Sequence, residues 1–309
     1  MVADAEYQAL LDLAAQIGAD PTLVQGATGS VSLKRDGVMW VSAAGAWLAQ
    51  AATREIMVPV GLAADGGTMP SVVAGQNRHG LRPSADAAMH ATLPHPVVVH
   101  AHCVETLAWA ARQGAERLVA SRLAGLNWRF VPYARPGAAL AGAIRARIRP
   151  RTDVLVLGNH GLVVGGETVE AVEALLFEVQ QCLCRPVREA PAGDIAALTA
   201  LAAGTGYVPA ADARTHGIGT DPAALAVARR GSLYPGHVTV LGPGIAAFPP
   251  ADPHPRAMLV APGLGVLMHS DAPPEAHALA RCLADVTARL DPGETLAVLT
   301  PAQEAELLD

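Results

Sequence analysis

The segment "HPVVVHAHC", residues 95–103, sets two histidines with one alanine between them inside a β-branched run suited to burial. Side chains two apart on a strand project to one side, so His100 and His102 point together while Val99, Ala101 and Cys103 point away. Such a pair either shares a metal ion or forms hydrogen bonds in a core. The same alternation removes Cys103 as a third ligand from the strand. A third histidine, His160, stands in "VLGNHG", a tight turn after another apolar strand, where chains commonly present functional groups. Three imidazoles with an open fourth position are a usual donor set for catalytic zinc.

Asp86 precedes both strand histidines, on a helix that leads into their strand. One reading is a carboxylate that satisfies the helix dipole at the surface. The other is a general base, if the helix packs beside the metal. His90 lies one turn later on the same face and reads as a structural partner of Asp86. Three pieces could bind an anion through backbone N–H groups and hydroxyls: "GATGS" with Thr28, Gly29 and Ser30, "SAAG" from Ser42 to Gly45, and the Ser84 helix start behind Arg82. Glycine turns mostly serve geometry, so none of the three specifies phosphate alone.

These residues need a scaffold. The opening "MVADAEYQALLDLAAQIG" has the apolar spacing of an amphipathic helix and lacks the basic start of a signal peptide. Strand-like pieces Val31 to Lys34 and Val38 to Ser42 flank Asp36-Gly37, a hairpin turn signal. Residues 61–83, rich in Gly and Pro, read as a loop. A helix capped by Ser84 with Asp86 in its first turn follows, then a strand from Val97 to His102 and a helix from about Glu105. "WRFVPYA" reads as a strand, and Pro136-Gly137 opens a helix to about Arg149. The unit "TDVLVLGNHGLVVGGETVEAVEALLFEVQQCL" reads as strand, sharp turn, strand, turn and long helix.

This pattern predicts an α/β domain over residues 1–188, closed by "REAPAGD", and a smaller C-terminal α/β domain over 189–309. In the second part, "AMLVAPGLGVLMHSDAPPEAHAL" aligns with "VLVLGNHGLVVGGETVEAVEAL" and suggests a degenerate half-repeat. Gly263-Leu264-Gly265 replaces Asn159-His160-Gly161, so the second copy lacks the metal ligand. His216, His237, His254, His269 and His277 are scattered without ligand spacing and read as surface or core histidines.

Composition narrows the partners. Lysine and arginine number 22 against 28 acidic residues, a net charge of −6 that offers no general attraction to nucleic acid or anionic membrane. Every long apolar run is broken before membrane-spanning length, and cytoplasmic placement is the expectation. Cys182 and Cys184 diverge on a helix at i, i+2, so these two, with Cys103 and Cys282, are expected as reduced thiols.

The pieces "GATGSVS", "VSAAG", "PSADAAMH", "VVVHAHCVETLA", "VPYARPG" and "VLGNHGLVVGGETVEAVEALLFEVQ", in this order over about residues 5–185, resemble the class II aldolase/adducin family. "LRPSADAAMH" and "NWRFVPYARPG" are similar to the aldolase part of rhamnulose-phosphate aldolase/alcohol dehydrogenase fusion proteins. The resemblance implies a three-layer domain with a central mixed or antiparallel sheet and flanking helices. It further implies a divalent-metal sugar-phosphate aldolase, usually zinc-dependent, with a small sugar or sugar phosphate as substrate, assembled as a homo-oligomer, usually a tetramer, with sites at subunit interfaces. The family's ligand histidines fall on His100, His102 and His160, and its catalytic glutamate falls on Asp86. Departures are Ser30 for an asparagine, Ala43-Ala44-Gly45 for "PSG" and "PSAD" for "PSSE". Thr28, Ser30, Ser42, Ser84 and Arg82 are then left to form the phosphate cradle. The family's acid tyrosine has no match, and Tyr133 in "VPY" reads as structural.

The combined expectation is reversible aldol cleavage of a ketose or ketose phosphate by enediolate stabilisation, with Asp86 exchanging the proton. A decarboxylase of a sugar-acid derivative on the same fold, a non-catalytic adducin-like scaffold and an unrelated metal hydrolase are the alternatives.

Overall fold

A computed structural model describes residues 4–62, 70–73, 75, 77, 79–250 and 255–309. It divides into two compact units, one of residues 1–106 and 116–183, the other of Leu107–Ala115 together with Cys184–Asp309. His254 lies outside the described residues, as does part of the 61–83 stretch.

The first unit is built on an eight-stranded sheet. Its strands are β1 (Ser30–Arg35), β2 (Val38–Ser42), β3 (Met57–Gly61), β4 (Ser71–Val72), β5 (Val97–Ala101), β6 (Trp128–Val131), β7 (Val154–Leu157) and β8 (Gly161–Gly166). They run in the order β4-β3-β2-β1-β5-β8-β7-β6. Every neighbouring pair is antiparallel except β6 with β7, so the sheet is mixed. The hairpin between β1 and β2 turns on Asp36 and Gly37 at φ 51° and 76°, the positive values that a two-residue turn of this twist requires. Within the stretch read as a loop, Ser71 and Val72 instead pair with β3.

β5 is buried along its whole length between β1 and β8, which explains a run without polar alternation. The helices of this part are α1 (Asp4–Ala19), α2 (Ala87–Thr92), α5 (Ala138–Arg147) and α6 (Val169–Cys182), while α3 (Val104–Ala110) runs from this unit into residues 107–115 of the second and α4 (Ala115–Ala120) leads back out of them. α1 buries Leu10, Leu13, Ala14 and Ile17, one stripe at helical spacing. Met89 and Leu93 beside α5's Leu140 and Ile144 form a cluster with Val98, Leu155, Leu157 and Val163. Each such side chain contributes about 1.5–3 kcal/mol of burial. The cluster holds α2 on the face of β5 that carries Val98 and, two residues on, His100.

The second unit has a three-stranded antiparallel sheet of β9 (Tyr207–Pro209), β10 (Met258–Ala261) and β11 (Gly265–His269) in the order β10-β11-β9. Its helices are α7 (Ile195–Ala202), α8 (Gly217–Thr220), α9 (Pro222–Ala228), α10 (Pro274–Thr287) and α11 (Pro301–Leu308). The hairpin β10–β11 closes with Ala261 opposite Gly265, as β7–β8 closes with Leu157 opposite Gly161. A 14-residue helix follows each hairpin. Residues 107–115 are tied into this unit: Gln113 N donates to Thr295 O at 2.9 Å and Ala297 N to Ala111 O at 2.8 Å. The guanidinium groups of Arg112 and Arg185 lie over the Trp109 ring, 4.8 and 4.6 Å from its centre. Glu294 pairs with both arginines. All four cysteines are free.

Candidate metal centre

Three pieces of backbone bring the histidines together. His100 is the fourth residue of β5, and His102 follows the strand's last residue, Ala101. Because Ala101 pairs with Leu162, the turn before β8 returns to the same end of β5. That turn bends through Asn159 at φ 52° and Gly161 at φ 150°. A Cβ on Gly161 would stand 2.5 Å from the Ala101 carbonyl oxygen, so only hydrogen fits there. The result is a triangle of imidazoles: ring centres are 4.9 Å apart for His100 and His102, 5.0 Å for His100 and His160, and 5.2 Å for His102 and His160.

One nitrogen from each ring lies within 4.8 Å of the others. Nitrogens on a tetrahedral ion at ~2.1 Å stand about 3.4 Å apart, so small side-chain rotations close the set. The three rings are 1%, 6% and 4% exposed. His100 Nε2 has no hydrogen-bond partner, and neither has Nδ1 of His102 or of His160. Buried polar atoms are ordinarily satisfied, and three clustered imidazoles that each keep an unpaired nitrogen fit a cation. Burial, reinforced by the neighbouring histidines, pushes His102 well below its ordinary value. Burial likewise takes His160 down to about 3, with His100 reinforcing it and Asp86 opposing. The neutral form that presents a lone pair to a metal is therefore favoured at both rings.

Around this triangle runs a line of polar side chains. Asp86 Oδ2 accepts from His100 Nδ1 at 3.0 Å and from the Ser30 hydroxyl at 2.8 Å. Ser30 Oγ is also 2.8 Å from His90 Nε2, and Ser32 Oγ is 2.7 Å from His90 Nδ1. The antiparallel pairing of β1 with β5, which sets Ser30 opposite His100, fixes this arrangement. Burial acts to raise the Asp86 carboxyl. His100 beside it, with His160 and His90, outweighs burial and holds the carboxyl well below the usual range. Burial takes His90 down to about 3 against the pull of Asp86.

The start of α2 differs from the expectation. The helix begins at Ala87, with Asp86 as the residue before it, and the Asp86 side chain caps no backbone amide. Ser84 Oγ accepts from Asp86 N at 3.2 Å, a local turn that frees the carboxylate to face His100. His90 meets Asp86 through Ser30 rather than directly. Ser32 was missed by sequence reasoning; its place two residues from Ser30 on one strand face was the available signal.

The anion-binding candidates are dispersed in their roles. Thr28 Oγ1 accepts from Gln25 N, and Ser42 Oγ from Val31 N. Gly29, at φ 74°, lies against the His100 carbonyl. Ser30 is engaged by Asp86 and His90. The segments around Ser42 and Ser84 are joined, because Ser84 N donates to Ser42 O and Ala44 N to Arg82 O. Gly45 and Arg82 are exposed. Tyr133 follows β6, its backbone nitrogen against Gly158.

In the second unit, both ring nitrogens of His216 bond to backbone at Ala210 and Val266, and those of His237 to Gly244 and Leu233. His269 Nδ1 accepts from Asp271 N. His277 is half-buried on α10.

Residues 8–184 match the family described as "Class II Aldolase and Adducin N-terminal domain". The Bacillus subtilis (strain 168) protein named "Uncharacterized oxidoreductase YuxG" is 32% identical over 91 residues, 29% of this chain. The match spans only 13% of that relative's length. Among solved structures, the N-terminal class II aldolase domain of a conserved protein from Thermoplasma acidophilum superposes with a TM-score of 0.50 at 22% identity, covering 59% of this chain and 94% of that one. YgbL from Escherichia coli gives a TM-score of 0.47 at 23% identity, over 61% and 94% of the two chains.

Proposed function

This chain belongs to the class II aldolase and adducin family, and on that premise we propose that it is a metal-dependent lyase that reversibly cleaves a carbon–carbon bond in a ketose or ketose phosphate. The observation that carries the reading is the triangle of buried histidines, each with an unpaired nitrogen.

His100, His102 and His160 would hold the ion, with zinc the best match to three neutral imidazoles. A divalent ion there supplies Lewis-acid stabilisation of the negative charge that develops on the substrate oxygens as the bond breaks. The chain's own part is to fix three donors at one end of the sheet and leave the remaining positions to substrate oxygens. The joined segments at Ser42, Arg82 and Ser84, with Thr28, Gly29 and Gly45, are proposed to receive the distal hydroxyls or phosphate of the sugar. Ser30 serves Asp86 instead. Cytoplasmic placement and assembly as a homo-oligomer, a tetramer by family resemblance, complete the reading.

The second unit is read as a degenerate half-copy of the first. Aligning the two hairpins on Gly161 and Gly265 puts Leu264 where His160 stands and, through the pairing of β9 with β11, Pro209 where His100 stands. It would then carry no ion of its own.

The test is metal analysis of the purified protein joined to a cleavage assay on ketose phosphates. The wild type should carry about one equivalent of divalent metal and release an aldehyde, and His160→Ala should lose both. Release of carbon dioxide without an aldehyde would replace the aldolase reading with a decarboxylase. A metal-free wild type would leave the scaffold role.

A further inference from the structure

With Asp86 ionised and His90 neutral, the buried polar line beside the histidines has one consistent set of hydrogen directions. An ionised carboxylate has no proton to give. The 3.0 Å contact of Asp86 Oδ2 with His100 therefore uses an Nδ1–H, and its 2.8 Å contact with Ser30 uses the hydroxyl proton. Ser30 has then spent its only proton, so its 2.8 Å contact with His90 Nε2 takes the proton from His90. His90, with its proton on Nε2, accepts at Nδ1 from the Ser32 hydroxyl at 2.7 Å. Every step follows from the one before, and the line ends at His100 Nε2, which is buried and unpaired.

From this we infer that Asp86 is a positioning residue, which together with Ser30, His90 and Ser32 locks His100 in its Nδ1–H tautomer and aims its Nε2 lone pair at the ion. This rests on the reading of His100 as a metal ligand and changes the part that the sequence offered to Asp86. Its Oδ2 acts through His100 rather than as the group that carries the substrate's proton. A carboxylate on the far nitrogen also raises the basicity of the ligating one, and loss of such a partner typically weakens metal binding about 10- to 100-fold. His90 is 0% exposed and sits between two serines of one strand, so it transmits no proton to solvent. Its use is to leave Ser30 a single direction in which to donate.

The experiment has two arms on the full chain. In the first, metal-free protein labelled with 15N on its histidine rings is examined by long-range 1H–15N correlation, with His90→Gln and His100→Gln assigning the signals. The wild type should show His100 protonated on Nδ1 and His90 on Nε2. Asp86→Ala should shift His100 toward the Nε2–H form that an unconstrained histidine side chain prefers. In the second arm, Zn2+ affinity is measured by chelator competition. Asp86→Ala should bind about 10- to 100-fold more weakly, and Ser30→Ala, a smaller change that preserves the carboxylate, several-fold more weakly. A His90 protonated on Nδ1 overturns the inference, as does an Asp86→Ala protein that keeps wild-type Zn2+ affinity while losing turnover, the signature of a proton-carrying base. A wild type that binds no Zn2+ overturns the metal reading itself, and the tautomers of the first arm then still report on the hydrogen-bonded line.

Discussion

Replacing Gly161 with alanine tests whether the turn after β7 sets the geometry of the metal centre. The added Cβ would stand 2.5 Å from the Ala101 carbonyl oxygen and 3.4 Å from His102 Cα. An ordinary carbon–oxygen contact is about 3.3 Å, so the turn and the end of β5 must part by roughly 0.8 Å. That movement separates His160 from His100 and His102, whereas metal–ligand distances hold within about 0.2 Å. The backbone adds its own cost, since φ 150° at residue 161 is a region for glycine, worth about 1–3 kcal/mol to any other residue. Loss of one good ligand position should weaken Zn2+ binding at least about 100-fold, or ~2.7 kcal/mol at 1.36 kcal/mol per factor of ten. Gly37→Ala is the control, because Gly37 is also at positive φ, 76°, with nothing within 4 Å of the added Cβ. It should cost only about 1 kcal/mol of stability and leave metal affinity unchanged. Chelator competition and thermal melting read both variants. Equal Zn2+ affinity in Gly161→Ala and wild type would refute the claim that contact with Ala101 sets the spacing of the histidines.

Two further outcomes are expected. His90 and His237 are held at about 3 and about 4, chiefly by burial, below the ordinary histidine value of 6.5. The unfolded chain therefore binds more protons between those values and 6.5. Stability of the metal-free protein should be full above pH 6.5 and fall as the pH drops toward 4, and a urea midpoint that stays flat from pH 7 to pH 4 contradicts this. A chain ended after Leu183 should aggregate or express insolubly, because residues 107–115 lose Arg185, Glu294, Thr295 and Ala297. A monodisperse, soluble truncation in light scattering would count against it.

Local signals were legible where local geometry decides the structure. Asp36-Gly37 gave the β1–β2 hairpin because its turn needs positive φ at both residues, and the first helix followed from the spacing of Leu10, Leu13 and Ile17. The strand alternation of His100 and His102, with His160 in a glycine turn, pointed without any tertiary information to the three imidazoles that the fold gathers. Asp86 was harder, because its meaning depends on Ser30, which reaches it only through the pairing of β1 with β5. A serine in a glycine-rich turn looks like part of an anion cradle until its hydroxyl is seen to be spent on a carboxylate. The run "HVTVL" at 237–241 carries four β-branched or aliphatic residues in a row, yet it forms a π-helical turn in which His237 is satisfied by Gly244 and Leu233. Tertiary burial overrode propensity there. Nothing in residues 107–115 announced that they belong with a segment far downstream, since "LAWAARQGA" reads as an ordinary helix end.

That last feature bears on how the protein is made and how it can be recombined. During synthesis, residues 107–115 leave the ribosome long before Cys184–Asp309, so Trp109 must wait for Arg185 and Glu294 before its unit can close. The first unit can form around β1, β5, β7 and β8 in the meantime, which makes its sheet the earlier folding event on the emerging chain. By the same logic the C-terminal unit is not a cassette. A gene fusion that transplants residues 184–309 onto another protein moves most of a unit and leaves its missing piece behind.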